Sequence, residues 1–143
     1  MGQSERDESI LEPQLPICDP HHHYWHHPEQ PYLLEDLHAD TTSGFDGVSH
    51  NVVSTVFVDC GAEYRTDGPE HLKPVGETEF ITEAAVRSEA SDAATIAAIV
   101  GFADLALGDG VAEVLEAHVK AADGRFRGIR HITAWDPSPK FHP

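Results

Sequence analysis

Five histidines fall within seven positions: His21, His22, His23, His26 and His27. Neutral imidazole is a good ligand for divalent ions, and its charge changes near neutral pH. On an extended segment side chains alternate between faces. Asp19, His21 and His23 are therefore predicted to share one face, and Cys18, Pro20 and His22 the other. Two imidazoles spaced this way can converge on one divalent ion, zinc first among the choices, while a carboxylate at Asp19 could orient one of them from behind. The competing reading is an exposed polar loop, or a non-enzymatic histidine-rich module that only sequesters an ion or engages a partner. His26 and His27 precede Pro28 and read as surface residues. His118 falls on an apolar helical stripe and reads as core, and His38, His50, His71 and His142 have no evident partner.

A second group sits in FRGIRH, Phe126–His131. Arg130 and His131 are adjacent, so only one of them can face inward on a regular strand. An arginine held at a strand end calls for an anion, either a substrate carboxylate or one of the 25 acidic side chains. Asp59, Cys60, Glu63 and Asp104 follow apolar runs and read mainly as residues that begin the next helix. Trp25 and Trp135 could line a pocket mouth or simply pack. The chain has no GxSxG, GxxxxGK, GxGxxG or CxxC segment. Metal- or histidine-assisted hydrolysis is what remains among enzymatic chemistries.

The elements that must position these groups follow from periodicity. Apolar, β-branched runs at Leu15–His23, Asn51–Cys60, Thr95–Val100 and Phe126–Ile132 read as strands, the third being ambiguous because its alanines also suit a helix. Between them lie helical patterns at Tyr32–Ala39, at Gly76–Ser88 with Thr78 as a cap, and from an Asp109 cap through Val111, Val114, Leu115, His118 and Val119 to Gly124. Strands alternating with helices predict right-handed βαβ units and an α/β fold with a parallel sheet. In such sheets binding sites form at the carboxyl ends of strands, where His21 and His23 fall.

Composition sets the outer limits. The chain has 143 residues, enough for one domain with a real core, behind a polar arm at residues 1–14. Its 9 Lys+Arg against 25 Asp+Glu give a charge of −16, which excludes a nucleic-acid binder and disfavours anionic membrane surfaces. No apolar stretch suits a signal or a membrane span, so a cytoplasmic location is expected. Cys18 and Cys60 lie in apolar runs and are expected to be reduced core thiols.

Five segments in order, Asp19–His23, VFVDCGAEYR (Val56–Arg65), PVGETEF (Pro74–Phe80), IVGFADL (Ile99–Leu105) and FRGIRH (Phe126–His131), resemble the amidohydrolase-related family of TIM-barrel hydrolases, lactonase-like members included. The resemblance covers nearly the whole chain after the arm. It implies a (β/α)8 barrel in which His21 and His23 supply metal ligands or polar site residues, and Arg130 with the adjacent His131 binds a substrate carboxylate. It also implies attack of activated water on a small lactone, amide or carboxylated substrate, or decarboxylation, with some members working without metal. A barrel of this kind takes about 250 residues. Residues 15–143 therefore read as its first four β/α units. The family's later site residues, two histidines and the aspartate that acts on water, would fall beyond Pro143. As it stands, such a chain is expected to turn over little, and to self-associate through its uncovered sheet.

Overall fold

The β-branched run VVSTVFV forms the strand from which the sheet is best described. In a computed structural model, residues 10–26, 28–43 and 49–133 are described. His27, Trp135, His142 and most of the expected N-terminal arm lie outside them. The elements in chain order are β1 (Ile17–His22), α1 (Leu34–Ser43), β2 (Val52–Val58), α2 (Val75–Glu89), β3 (Thr95–Phe102), α3 (Val111–Ala121) and β4 (Phe126–Arg130). Short 3-10 turns at Glu70–Leu72 and Leu105–Gly110 precede α2 and α3. The four strands pair in parallel, in the order β1-β2-β3-β4. The predicted α/β class with alternating strands and helices is what is found.

Crossovers that all step the same way, each right-handed, place their helices on one face of a sheet. That face carries the core: Phe57, Ile96 and Ile99 from the strands meet Leu34, Leu37, Ile81, Ala84 and Ala85 from the helices, with Tyr24 and Ala122. Register assigns the other face. Ser54 pairs with Thr95, Val56 with Ala98, Val58 with Val100 and Phe102 with Arg130. On this second face Val56, Ala98, Val100 and Phe102 are only half-buried. Parallel sheets ordinarily bury both faces.

Several local expectations change. Thr95–Phe102 is a strand: Ile96 and Ile99 both bury on the helix side, the three-residue step between them being taken up by an irregularity in the pairing with β2. Thr78 does not cap α2; it lies within the helix and its hydroxyl bonds His118. Gly110, not Asp109, precedes α3, whereas the Asp104 side chain accepts from Ala106 N at the preceding turn. Cys18 is exposed rather than a core thiol, since it sits on edge strand β1 opposite Ser54 on the uncovered face. Among the described residues no helix is long and apolar enough to cross a membrane.

Candidate functional site

Pro20 decides how β1 presents its histidines. Asp19 pairs with Thr55 and His22 with Phe57, so three steps in β1 match two in β2 and strict alternation is lost. A proline is tolerated here because β1 is an edge strand. Asp19 is thereby aligned with Thr55 on the helix side, away from His21 and His23, which corrects the expectation of one shared face. Its carboxylate accepts the His21 backbone N–H at 3.1 Å and so shapes the bulge rather than orienting a ring.

His21 and His23 do come together. Their Nε2 atoms are 3.0 Å apart and their rings meet edge to face, with centroids 4.7 Å apart and planes at 85°. His23 Nδ1 lies 2.6 Å from the Val58 carbonyl, to which only a protonated nitrogen can bond, and this fixes the tautomer that leaves Nε2 with a lone pair. The His21 Nε2–H then donates to it. Two imidazole nitrogens each about 2.0–2.1 Å from a tetrahedral zinc ion would be about 3.3–3.4 Å apart, so the rings would have to part by a few tenths of an ångström to hold one. Among the described residues, however, no group of three or more His, Cys, Asp or Glu side chains assembles. Trp25, half-exposed, stands beside the pair with its ring 5.2 Å from that of His23.

His22 turns the other way. It is 7% exposed, packs on Tyr24 and Phe57, and neither ring nitrogen has a hydrogen-bond partner among the described residues. Burial lowers its pKa to about 4, outweighing the nearby Asp19 carboxylate and the Val56 backbone. It is neutral at pH 7 and belongs to the core.

The carboxyl end of β2 holds a network that sequence reasoning undervalued. Asp59 is 6% exposed and Glu77, in the first turn of α2, is 2% exposed. Glu77 Oε1 accepts the backbone N–H of Ala62 at 2.7 Å and of Cys60 at 3.2 Å. Burial, and then the Asp59 carboxylate, push its pKa up to about 8. Tyr64 donates to Asp59 Oδ1 at 2.6 Å. Burial and that carboxylate hold the phenol far above its ordinary range. The Cys60 thiol donates to the Tyr24 carbonyl at 3.1 Å and is raised to about 11 by burial and by Glu77, so it is an inert thiol. One sequence signal was available: Glu77 occupies the buried stripe that continues through Ile81, Ala84, Ala85 and Ser88.

Arg130 reaches this network from two strands away. Its register with Phe102 puts it on the uncovered face, and its guanidinium passes the end of β3 to donate through Nη2 to the Asp59 backbone carbonyl. Nη2 is also 3.8 Å from Asp59 Oδ2. Its Nε is buried and has no hydrogen-bond partner among the described residues. His131 lies just past β4, where its Nδ1 accepts the Leu105 backbone N–H at 2.9 Å and its ring packs on Phe102. That histidine braces the loop after β3 rather than joining Arg130. A cavity of about 400 Å³ opens between the two 3-10 turns, lined by Tyr64, His71, Lys73, Phe102, Asp104 and Leu107.

The remaining polar candidates have structural duties. His118 bonds Thr78 Oγ1 through Nδ1 at 2.8 Å and the Phe102 carbonyl through Nε2 at 2.9 Å, and stacks on Phe126. Its neutrality follows from burial. The ring lies directly over Gly101, where a Cβ would come within 2.8 Å of it. Gly101→Ala is accordingly expected to lower stability by about 1–3 kcal/mol in urea denaturation, because neither the ring nor β3 can yield without losing hydrogen bonds. Glu63 is 3.3 Å from His26, and His71 is 3.1 Å from Glu113, which supplies the partner its sequence context did not reveal.

Fold and site together define a parallel α/β sheet covered by helices on one face, with polar groups from β1, β2 and β4 gathered at the carboxyl end. Comparisons with family models, curated proteins and solved structures give no significant match.

Proposed function

We propose that the chain carries part of the site of a hydrolase of the amidohydrolase-related, (β/α)-barrel type, acting on a small ester, lactone or amide that bears a carboxylate. One observation carries the reading: at the carboxyl end of the sheet, the His21–His23 imidazole pair on β1 lies on the same uncovered face as Arg130 on β4, whose Nε has no acceptor among the described residues. A guanidinium with an unsatisfied buried donor is suited to a carboxylate. The paired imidazoles are suited to take a proton from water as its oxygen attacks the substrate carbonyl carbon. The proton then passes to the leaving oxygen or nitrogen as its bond to that carbon breaks. His21 and His23 would also hold a divalent ion, which when bound would acidify the attacking water.

No carboxylate among the described residues joins the histidine pair, so turnover by this chain alone is expected to be slow. Binding is the sharper test. In ligand-observed NMR a carboxylated lactone is expected to bind the wild type and to lose about tenfold or more in affinity in Arg130→Ala. Titration with Zn²⁺ is expected to show a loss of similar size in His21→Ala and in His23→Ala, with His26→Ala unchanged. Equal lactone binding by Arg130→Ala, or equal zinc losses in all three histidine variants, would overturn the assignment. Zinc binding with no lactone binding would favour the non-enzymatic metal-binding module.

A further inference from the structure

Trp25 is a large apolar side chain left 45% exposed, and it lines a cavity of about 820 Å³ together with Gln30, Pro31, Tyr32, Asp36 and Asp40. That volume lies within the range of small-molecule sites. The cavity is separate from the groups that the hydrolytic reading uses, although the Trp25 ring comes within 5.2 Å of His23.

Backbone pairing holds its two aromatic residues together. Trp25 and Tyr32 form an antiparallel bridge in which each N–H donates to the other's carbonyl, at 3.0 and 2.9 Å. Residues directly opposed across such a bridge project their side chains to the same side, with Cβ atoms about 5 Å apart. Indole and phenol are therefore presented side by side. The Tyr32 hydroxyl donates to Asp40 Oδ2 at 2.8 Å, and burial with that bond keeps it protonated. Asp36 Oδ2 accepts the Leu33 N–H at 2.8 Å at the start of α1. Each carboxylate is fixed through one oxygen and keeps a second.

The sign of the ligand follows from the charges around the cavity. No Lys or Arg lies between Arg6 and Arg65, and Arg87, which reaches α1 from α2, is engaged by Glu35. Aromatic faces carry the negative part of the ring quadrupole, so rings and carboxylates favour the same partner, a cation. A weakly hydrated organic ammonium gives up its water to such rings, whereas a small metal ion does not. We propose that this cavity binds a small quaternary ammonium compound, its cationic head against Trp25 and Tyr32 and its charge balanced by Asp36 and Asp40.

The test titrates choline calorimetrically into the full chain, with 3,3-dimethylbutan-1-ol, which has the same shape and no charge, as the control. The wild type is expected to bind choline at least about tenfold more tightly than the alcohol. Trp25→Ala leaves the protein charge unchanged and is expected to weaken choline binding by about fivefold or more, with Trp25→Phe restoring part of it. The double variant Asp36→Asn, Asp40→Asn keeps an acceptor for the Leu33 N–H and the Tyr32 hydroxyl while removing both charges, and is expected to lose about tenfold. A chain of charge −16 attracts any cation diffusely. A loss in the double variant with none in Trp25→Ala would therefore overturn the site, as would equal binding of choline and the alcohol, or no choline binding by the wild type. Should Trp25→Ala fail to fold, NOEs from the choline methyl groups to the Trp25 ring of the wild type decide the matter: their presence supports the site, and bound choline without them lies elsewhere.

Discussion

In Glu77→Gln, folding stability is expected to rise relative to the wild type as pH increases from about 4.5 to about 8, by on the order of 3 to 5 kcal/mol in all. In His22→Leu the difference is expected to run the other way, with a relative gain of about 3 kcal/mol as pH falls from 6.5 to 4. Both follow from opposite shifts. The folded protein holds a proton on Glu77 that the unfolded chain releases near its ordinary value, so the stability this group confers in acid is lost as pH rises through about 8. His22 is driven down to about 4, so the unfolded chain takes up a proton that the fold refuses, and its contribution, complete above pH 6.5, is lost as pH falls to 4. His118 acts in the same direction as His22. In the wild type the two windows overlap and largely cancel between pH 4.5 and 6.5, leaving a decline from there to pH 8. Urea denaturation of the three proteins across this range is decisive. Parallel profiles would show that neither group is buried in the state described.

The other large effect is expected at Asp59. Truncation in Asp59→Ala removes, in one step, the acceptor of the Tyr64 hydroxyl and the carboxylate nearest Arg130. Breaking a buried charged network by deleting one member leaves the others desolvated and unpaired, a loss of about 3–5 kcal/mol. Tyr64→Phe removes only one hydrogen bond and is expected to cost about 1–2 kcal/mol. The structural role assigned to Asp59 predicts this order in thermal or urea unfolding. A smaller loss in Asp59→Ala than in Tyr64→Phe would contradict it.

The helices and strands were largely legible because their signals are local. VVSTVFV forms a strand through its β-branched residues, and the stripe containing Val114 and His118 forms α3 and buries His118 as expected. The convergence of His21 and His23 was legible for the same reason, since a spacing of two on an extended segment puts both rings on one side. Asp19 was misplaced because the irregularity at Pro20 depends on how β1 pairs with β2, which its own residues do not state. Cys18 was misjudged because an apolar neighbourhood in sequence does not reveal that the strand lies at an edge, on the uncovered face.

The sequence by itself determined the α/β class, the parallel order of alternating elements and the histidine pair at a strand end, because each rests on periodicity within about ten residues. Only the tertiary structure decided that Glu77 is buried against the Cys60 and Ala62 amides, that Arg130 passes β3 to reach the end of β2, and that His22 is a core residue while its two neighbours are not. Those contacts join residues as much as 71 positions apart, and whether a charged side chain is solvated or buried depends on what the fold packs against it.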